Sequence, residues 1–256
     1  MIEHKISPGY SNTYSYDKNY SDSLSKEFLE LKYNLYIIYF INCLLNKNYI
    51  EWINFAIEKI KKYKYKEFYL CATVNSKSKK IILIELEKIH NIKFIFNYEN
   101  EHEYPAINTL HRLSKIFNKT TDIFLYFHSK YITHTDHFNA NSVIYDLLNK
   151  YYVALNVYEV FPKINKCVVS TENGKVQNRK GGLGWYNFYY ARGSYLDTIE
   201  TPEKTNKRYY YERWLSYSNG RKKTEKFISD CYSFDIKKYN IGEFWHPKVG
   251  YYYPQS

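Results

Sequence analysis

Five apolar or aromatic residues, Ile123 to Phe127, run without a charge and stop abruptly on His128, Ser129 and Lys130. A short apolar run bounded by polar residues reads as a strand buried on both faces. Side chains alternate along an extended chain, so Ser129 should point the opposite way from His128 and Lys130. A histidine and a lysine are thereby delivered together at a strand's carboxyl end. A net charge of +11 favours anionic partners such as phosphates, nucleic acid or acidic lipid surfaces. Much of that charge is dispersed, as in "KIKKYKYKEF" and "GRKKTEK", which read as solvated helix faces, and no nucleic-acid-binding motif is present.

Other groupings could also do chemistry. Glu99, Glu101 and Glu103 form an E-x-E-x-E run that could bind a metal or a ribose, or simply be solvated charge. His128, His134 and His137, with Asp136 between the last two, match no standard zinc spacing. No G-x-G-x-x-G follows the first strand, no G-x-x-x-x-G-K-[ST] occurs, and no G-x-S-x-G elbow is present. A dinucleotide enzyme, a P-loop ATPase and an α/β-hydrolase are therefore disfavoured.

The elements that must position these groups alternate. "YNLYIIYFINCLL", "EFYLCATV", "IKFIFNYEN", "TDIFLYF" and "KCVVST" read as strands. "YIEWINFAIEKIKKY" reads as a helix with Trp52, Phe55, Ala56, Ile60 and Tyr63 on one face. "EYPAINTLHRLSKIF" reads as another, with Pro105 in its first turn, where a missing N–H costs nothing. "NSKSKK" reads as a turn, and "IILIELEKI" fits helix or strand. "NSVIYDLLNKYYVALNVYEVF" reads as one long helix capped by Asn141 or Ser142. "NKRYYYERWLSYSNG" reads as a short helix ending at Gly220. Strands alternating with helices argue for a largely parallel βαβ sheet, whose ligands bind beyond the carboxyl ends of the strands.

The chain, 256 residues long, is expected to hold an N-terminal arm over residues 1–30 and a single domain over 31–256. The 32 tyrosines are spread along its length and point to no one binding surface. Cys43, Cys71, Cys167 and Cys231 are widely spaced, without a C-x-x-C pair, which fits a reducing compartment. The start lacks a secretory apolar core, and "LYIIYFINCLL" is too short to span a bilayer. A soluble cytoplasmic protein is expected (host cytoplasm or virion, if the source is viral).

"EYPAINTLHRLSKIFNKTTDIFLYFHSK" resembles a stretch of a bacterial and large-virus family of GT-A-like glycosyltransferases, in which Y-E-F-P-T-L, a helix and an apolar strand ending L-Y-x-H-T-K-G follow one another. "WYNFYYARGSYL" resembles the same family's S-G-N-F-W-W-A-x-x-x-Y-[IL], and "RYYYERWLS" its R-Y-x-x-E-x-W-[IL]-G. The blocks come in order and cover about Tyr33 to Trp214. Tyr131, Tyr186 and Ser216 stand where the family has glycine, which leaves room for an altered substrate or a transferase without turnover.

The resemblance implies a GT-A-like (Rossmann-like) α/β fold, a mostly parallel central sheet flanked by helices with an acceptor-side C-terminal extension. It implies a UDP- or GDP-sugar as donor, a glycan or other hydroxyl as acceptor, and transfer that is expected to invert. Many GT-A enzymes end the equivalent strand in D-x-D, which grips a divalent cation; this chain contains no D-x-D and has H-S-K there instead. Lys130, a compact ammonium with three donors, is then expected to contact the donor diphosphate, with His128 as a second donor and Arg208 helping. A divalent metal is left open, with His246 in "EFWHP" as a candidate ligand. Glu212 is the candidate general base. It could equally be an i, i+4 partner of Arg208 or an acid favoured by a helix N-terminus. Asn187, Tyr189, Tyr190 and Trp214 are expected to face sugar or acceptor, although Tyr190 could also pack in the core. The rival expectation is a carbohydrate- or nucleic-acid-binding module without catalysis.

Overall fold

Among the described residues, continuous apolar runs become the parallel half of a seven-stranded sheet. The computed structural model describes residues 24–45, 48–87, 89, 91–129, 147–168, 187–207, 210–215 and 231–233. The elements in order are α1 (Lys26–Lys32), β1 (Asn34–Asn42), α2 (Tyr49–Ile60), β2 (Glu67–Thr73), α3 (Ser76–Leu86), β3 (Ile92–Asn97), α4 (Tyr104–Ser114), β4 (Asp122–His128), α5 (Tyr151–Val160), β5 (Lys166–Val168), β6 (Tyr189–Arg192), α6 (Gly193–Leu196), α7 (Tyr210–Trp214) and β7 (Cys231–Ser233). The sheet order is β3-β2-β1-β4-β6-β5-β7. All pairings are parallel except the two made by β6, which runs against both β4 and β5. The expected α/β class, a mostly parallel sheet flanked by helices, is the one observed.

Two cores cover the two faces. Leu35, Ile37, Tyr39 and Ile41 of β1 and Ile123, Leu125 and Phe127 of β4 meet residues of α2, α3 and α5 on one face. Tyr36, Ile38 and Phe40, with Phe124 and Tyr126, meet α4, α6 and α7 on the other. This period-two alternation accounts for β1 and β4 reading as unbroken apolar runs: both faces are covered. Among the described residues, no helix is long and apolar enough to cross a membrane.

Three segments differ in detail from their sequence reading. "NSKSKK" is largely the first turn of α3: Asn75 Oδ1 accepts from Ser78 N at 2.8 Å, and Ser78 Oγ accepts from Asn75 N at 2.9 Å. This reciprocal cap settles "IILIELEKI" as helix. The expected long helix is interrupted by a turn at Asn149–Lys150, and α5 starts at Tyr151. Within the stretch read as an arm, α1 anchors fully buried Leu29 in the first core.

Arg192 ties the middle of the molecule together. Its guanidinium donates to the carbonyls of Ile164 (2.8 Å), Thr120 (2.6 Å) and Tyr158 (2.8 Å) and lies 4.4 Å from the Tyr158 ring centroid. One buried cation thereby pairs two loop carbonyls and one in the last turn of α5.

Candidate active site at the carboxyl end of β4

The strand order jumps at β1, where β4 returns from the far side of β2 and β3. Ligands of open α/β sheets bind beyond the carboxyl ends of strands at such a reversal. β4 ends there on His128, and Ser129 N still donates to Phe40 O at 3.0 Å, extending the ladder by one residue. Ser129 hydrogen-bonds to Tyr39 on the first-core face, and His128 meets the groups of the other face, as alternation requires.

β6 brings in the second contributor. Tyr126 pairs with Tyr189 in the antiparallel ladder, so continuing the register two places sets Asn187 opposite His128. Asn187 is buried, with a left-handed backbone (φ 46°) that Asn tolerates better than any other residue with a side chain. The third contributor is Glu103, the residue before α4. It makes no side-chain cap; its carboxylate turns to the sheet, beside a helix N-terminus that favours negative charge. His102, just before it, also has a left-handed backbone (φ 52°).

Glu103 is the hub. Its Oε2 accepts from the Tyr126 hydroxyl at 2.9 Å and from Asn187 Nδ2, and its Oε1 lies 3.7 Å from His128 Nε2. Little of either the His128 or the Glu103 side chain reaches solvent, 13% and 17% respectively. Tyr189 stacks at a tilt on Tyr126, ring centroids 5.1 Å apart. Burial, reinforced by the Glu103 charge, pushes both phenols well above their ordinary range, so both stay neutral donors. Asn187 Oδ1 and the Tyr189 hydroxyl are buried with no hydrogen-bond partner among the described residues.

The outer members of the acidic run are held elsewhere. Lys204 pairs with Glu101 and reaches Glu99 at 3.6 Å. The run thus divides into a solvent-side pair bridged by lysine and one inward carboxylate. That inward turn is what sequence reasoning missed; its one signal was position, directly before a helix that follows a strand.

The remaining sequence candidates fall as follows. Glu212 sits half-buried in the first turn of α7, on the same face as α4. Its neighbour Tyr211 is raised by burial, partly offset by a backbone hydrogen bond from Thr205, and feels the charges of Glu103 and Glu101. Trp214 is fully buried, its Nε1 donating to Glu200 O at 2.9 Å and its ring edge-on to His111. Tyr190 faces the first core, its hydroxyl donating to the carbonyls of Leu147 (3.1 Å) and Leu148 (3.2 Å). Lys130, Arg208 and His246 lie outside the described residues, as do His134, Asp136 and His137. Among the described residues, no group of three or more His, Cys, Asp and Glu is placed to hold a metal ion.

No protein-family model matches the chain, and no curated protein matches it. Among solved structures it is similar to glucosyl-3-phosphoglycerate synthase from Mycobacterium tuberculosis, determined in complex with Mn2+, UDP and glucosyl-3-phosphoglycerate, at 12% identity and a TM-score of 0.40 over 80% of this chain and 70% of that one. At that level of likeness nothing about ligand or reaction passes from one protein to the other.

Proposed function

We propose that the chain is a GT-A-like glycosyltransferase that moves a sugar from a nucleotide-sugar donor to a hydroxyl of a glycan or other acceptor, with inversion. One observation supports this above the rest. Glu103 falls on the Glu of Y-E-F-P, His128 on the His of H-T-K, and Asn187 on the Asn of G-N-F, and these three residues, far apart in sequence, meet at one carboxylate. They do so beyond the end of a central strand, where the sheet order reverses.

The reaction assigns roles accordingly. As the bond from the anomeric carbon to the diphosphate breaks, its electron pair stays on the departing phosphate oxygen. Lys130 and His128, with Arg208, offset that charge. Glu212 takes the proton of the acceptor hydroxyl as that oxygen bonds to the opposite face of the anomeric carbon. Asn187 and Tyr189 meet the sugar, and buried Tyr190 and Trp214 back the wall they form.

Turnover of UDP- and GDP-sugars measured in excess chelator tests the charge assignment. Activity should persist with chelator and collapse in Lys130→Ala; the reverse pattern overturns a metal-free diphosphate site. Glu212→Gln should lose roughly 100-fold or more in turnover, and retention of more than about a tenth removes Glu212 as the base. Calorimetry should show UDP or GDP preferred over the monophosphates and over RNA; preference for RNA or for free glycan favours the binding module instead. Tyr131 and Tyr186, replacing family glycines, favour a second reading, a transferase that binds donor without turnover. Donor binding with neither transfer nor donor hydrolysis would establish it.

A further inference from the structure

We propose that Glu103 is a positioning residue that holds His128 in its doubly protonated, cationic form and fixes Asn187 with its carbonyl oxygen turned away from the carboxylate. The inference deepens the proposed function and rests on it for the ligand, an anionic diphosphate. The rest follows from the geometry of the cluster.

An ionised carboxylate only accepts hydrogen bonds. Asn187 therefore presents its NH2 to Glu103, and its Oδ1 is directed elsewhere; that oxygen is buried and finds no partner among the described residues. Tyr126 adds its hydroxyl to the same carboxylate oxygen, and the other, Oε1, lies 3.7 Å from His128 Nε2. A proton on Nε2 is thereby favoured. The second ring nitrogen, Nδ1, is then an acceptor in the neutral imidazole and a donor only in the cation. A phosphate oxygen needs the donor.

Left-handed backbone at two non-glycine residues brackets the contact, at His102 beside Glu103 and at Asn187 itself. Strain of this kind persists where the surroundings over-determine it, and it gathers at functional sites. The groups facing His128 among the described residues come from each neighbouring element. They are Glu103 before α4, Tyr126 on β4, and Asn187 and Tyr189 by β6, with Tyr39, Trp52 and Phe55 sharing the cavity at the strand end. The phenols of Tyr39, Tyr126 and Tyr189 are raised by burial and remain uncharged, so the charge that this set brings to His128 is that of Glu103. Burial of the ring works against the cation and the carboxylate works for it; removing the carboxylate separates the two.

The test is a 15N NMR titration of the imidazoles in the full chain, with His128 assigned by its loss in His128→Asn. Glu103→Gln should lower the His128 midpoint by about one unit or more. Glu103→Asp, which keeps the charge but retracts it by a methylene, should give a smaller fall and decides the matter if the Gln variant does not fold. UDP affinity at pH 7.5 should drop severalfold in Glu103→Gln, with about tenfold the most that a one-unit shift allows, and recover at pH 5.5, where the ring protonates unaided. Recovery at low pH is a response that a purely structural residue would not give. An unchanged or raised midpoint overturns the inference, as does equal loss of affinity at both pH values. If wild type binds neither UDP nor GDP at any pH, the proposed function falls, and the midpoint alone decides the role of Glu103.

Discussion

Replacing Arg192 with methionine keeps most of the side-chain volume and removes every hydrogen bond that the guanidinium makes. Three carbonyls, of Ile164, Thr120 and Tyr158, lose their donor, and the stacking over the Tyr158 ring goes with them. Only 5% of Arg192 is exposed, so water cannot take over without rearrangement. A buried acceptor left unsatisfied costs about 1–3 kcal/mol. The three carbonyls belong to connected segments that can relax together, so the terms do not simply add. A total of about 4 kcal/mol is expected for Arg192→Met, near the upper end for a single substitution. Arg192→Lys keeps the charge and can reach one or two of the carbonyls, which sets its loss at about 2 kcal/mol. Urea unfolding followed by tryptophan fluorescence measures both, since Trp214 is fully buried in the native state. Arg192 pairs with Ile123, five residues before the strand end at His128, or roughly 16 Å along the sheet. Donor affinity of the folded variant should therefore match wild type. Loss of less than about 1 kcal/mol in Arg192→Met would refute the clamp, and loss of donor affinity in a folded variant would refute its separation from the site.

Three further outcomes are expected. Gly193→Ala should destabilise by about 2 kcal/mol in the same urea assay, because the added methyl would run into the Phe117 carbonyl, 3.0 Å from its carbon. Cys43 and Cys71, both pushed up to about 12 by burial, should be almost entirely thiol at pH 8 and resist a thiol-specific reagent until urea unfolds the chain. Burial raises Glu159, but hydrogen bonds from Lys32 and Tyr33 outweigh it and the net pKa is lowered. Its stabilisation is then present above the unfolded carboxylate pKa and lost as pH falls through the lower folded value. Glu159→Gln should remove at most about 1 kcal/mol at pH 7 and flatten the fall in stability below about pH 4.5 in urea melts.

Strands β1, β2 and β4 were legible because both their faces are buried, which writes an unbroken apolar run into the sequence. α3 was ambiguous because its core-facing Ile82 and Leu86 are interleaved with exposed Leu83 and Ile84, blurring the period. The reversal of β6 left no mark at all. The strand is four residues long, and the direction in which it pairs is set by where the preceding chain enters, not by its own side chains. Within the site, His128 stood out as the first polar residue after an apolar run, and Asn187 through its motif. Glu103 looked like one of three equivalent acids. Its distinction lies in the turn at His102 and in donors supplied by residues 126 and 187, none of which a local reading can supply.

The reversed strand also shapes how such a protein can diversify. β5 ends at Val168 on the same rim where β6 begins, so the chain leaves and re-enters beside Asn187. Val168 and Asn187, the described residues on either side of 169–186, therefore lie on the rim proposed for the ligand, and the sheet register is fixed outside that segment. Changes in that segment's length or chemistry can alter what is recognised and leave the ladder between β4 and β6 untouched. A chimera exchanging only residues 169–186 should fold and change its choice of acceptor.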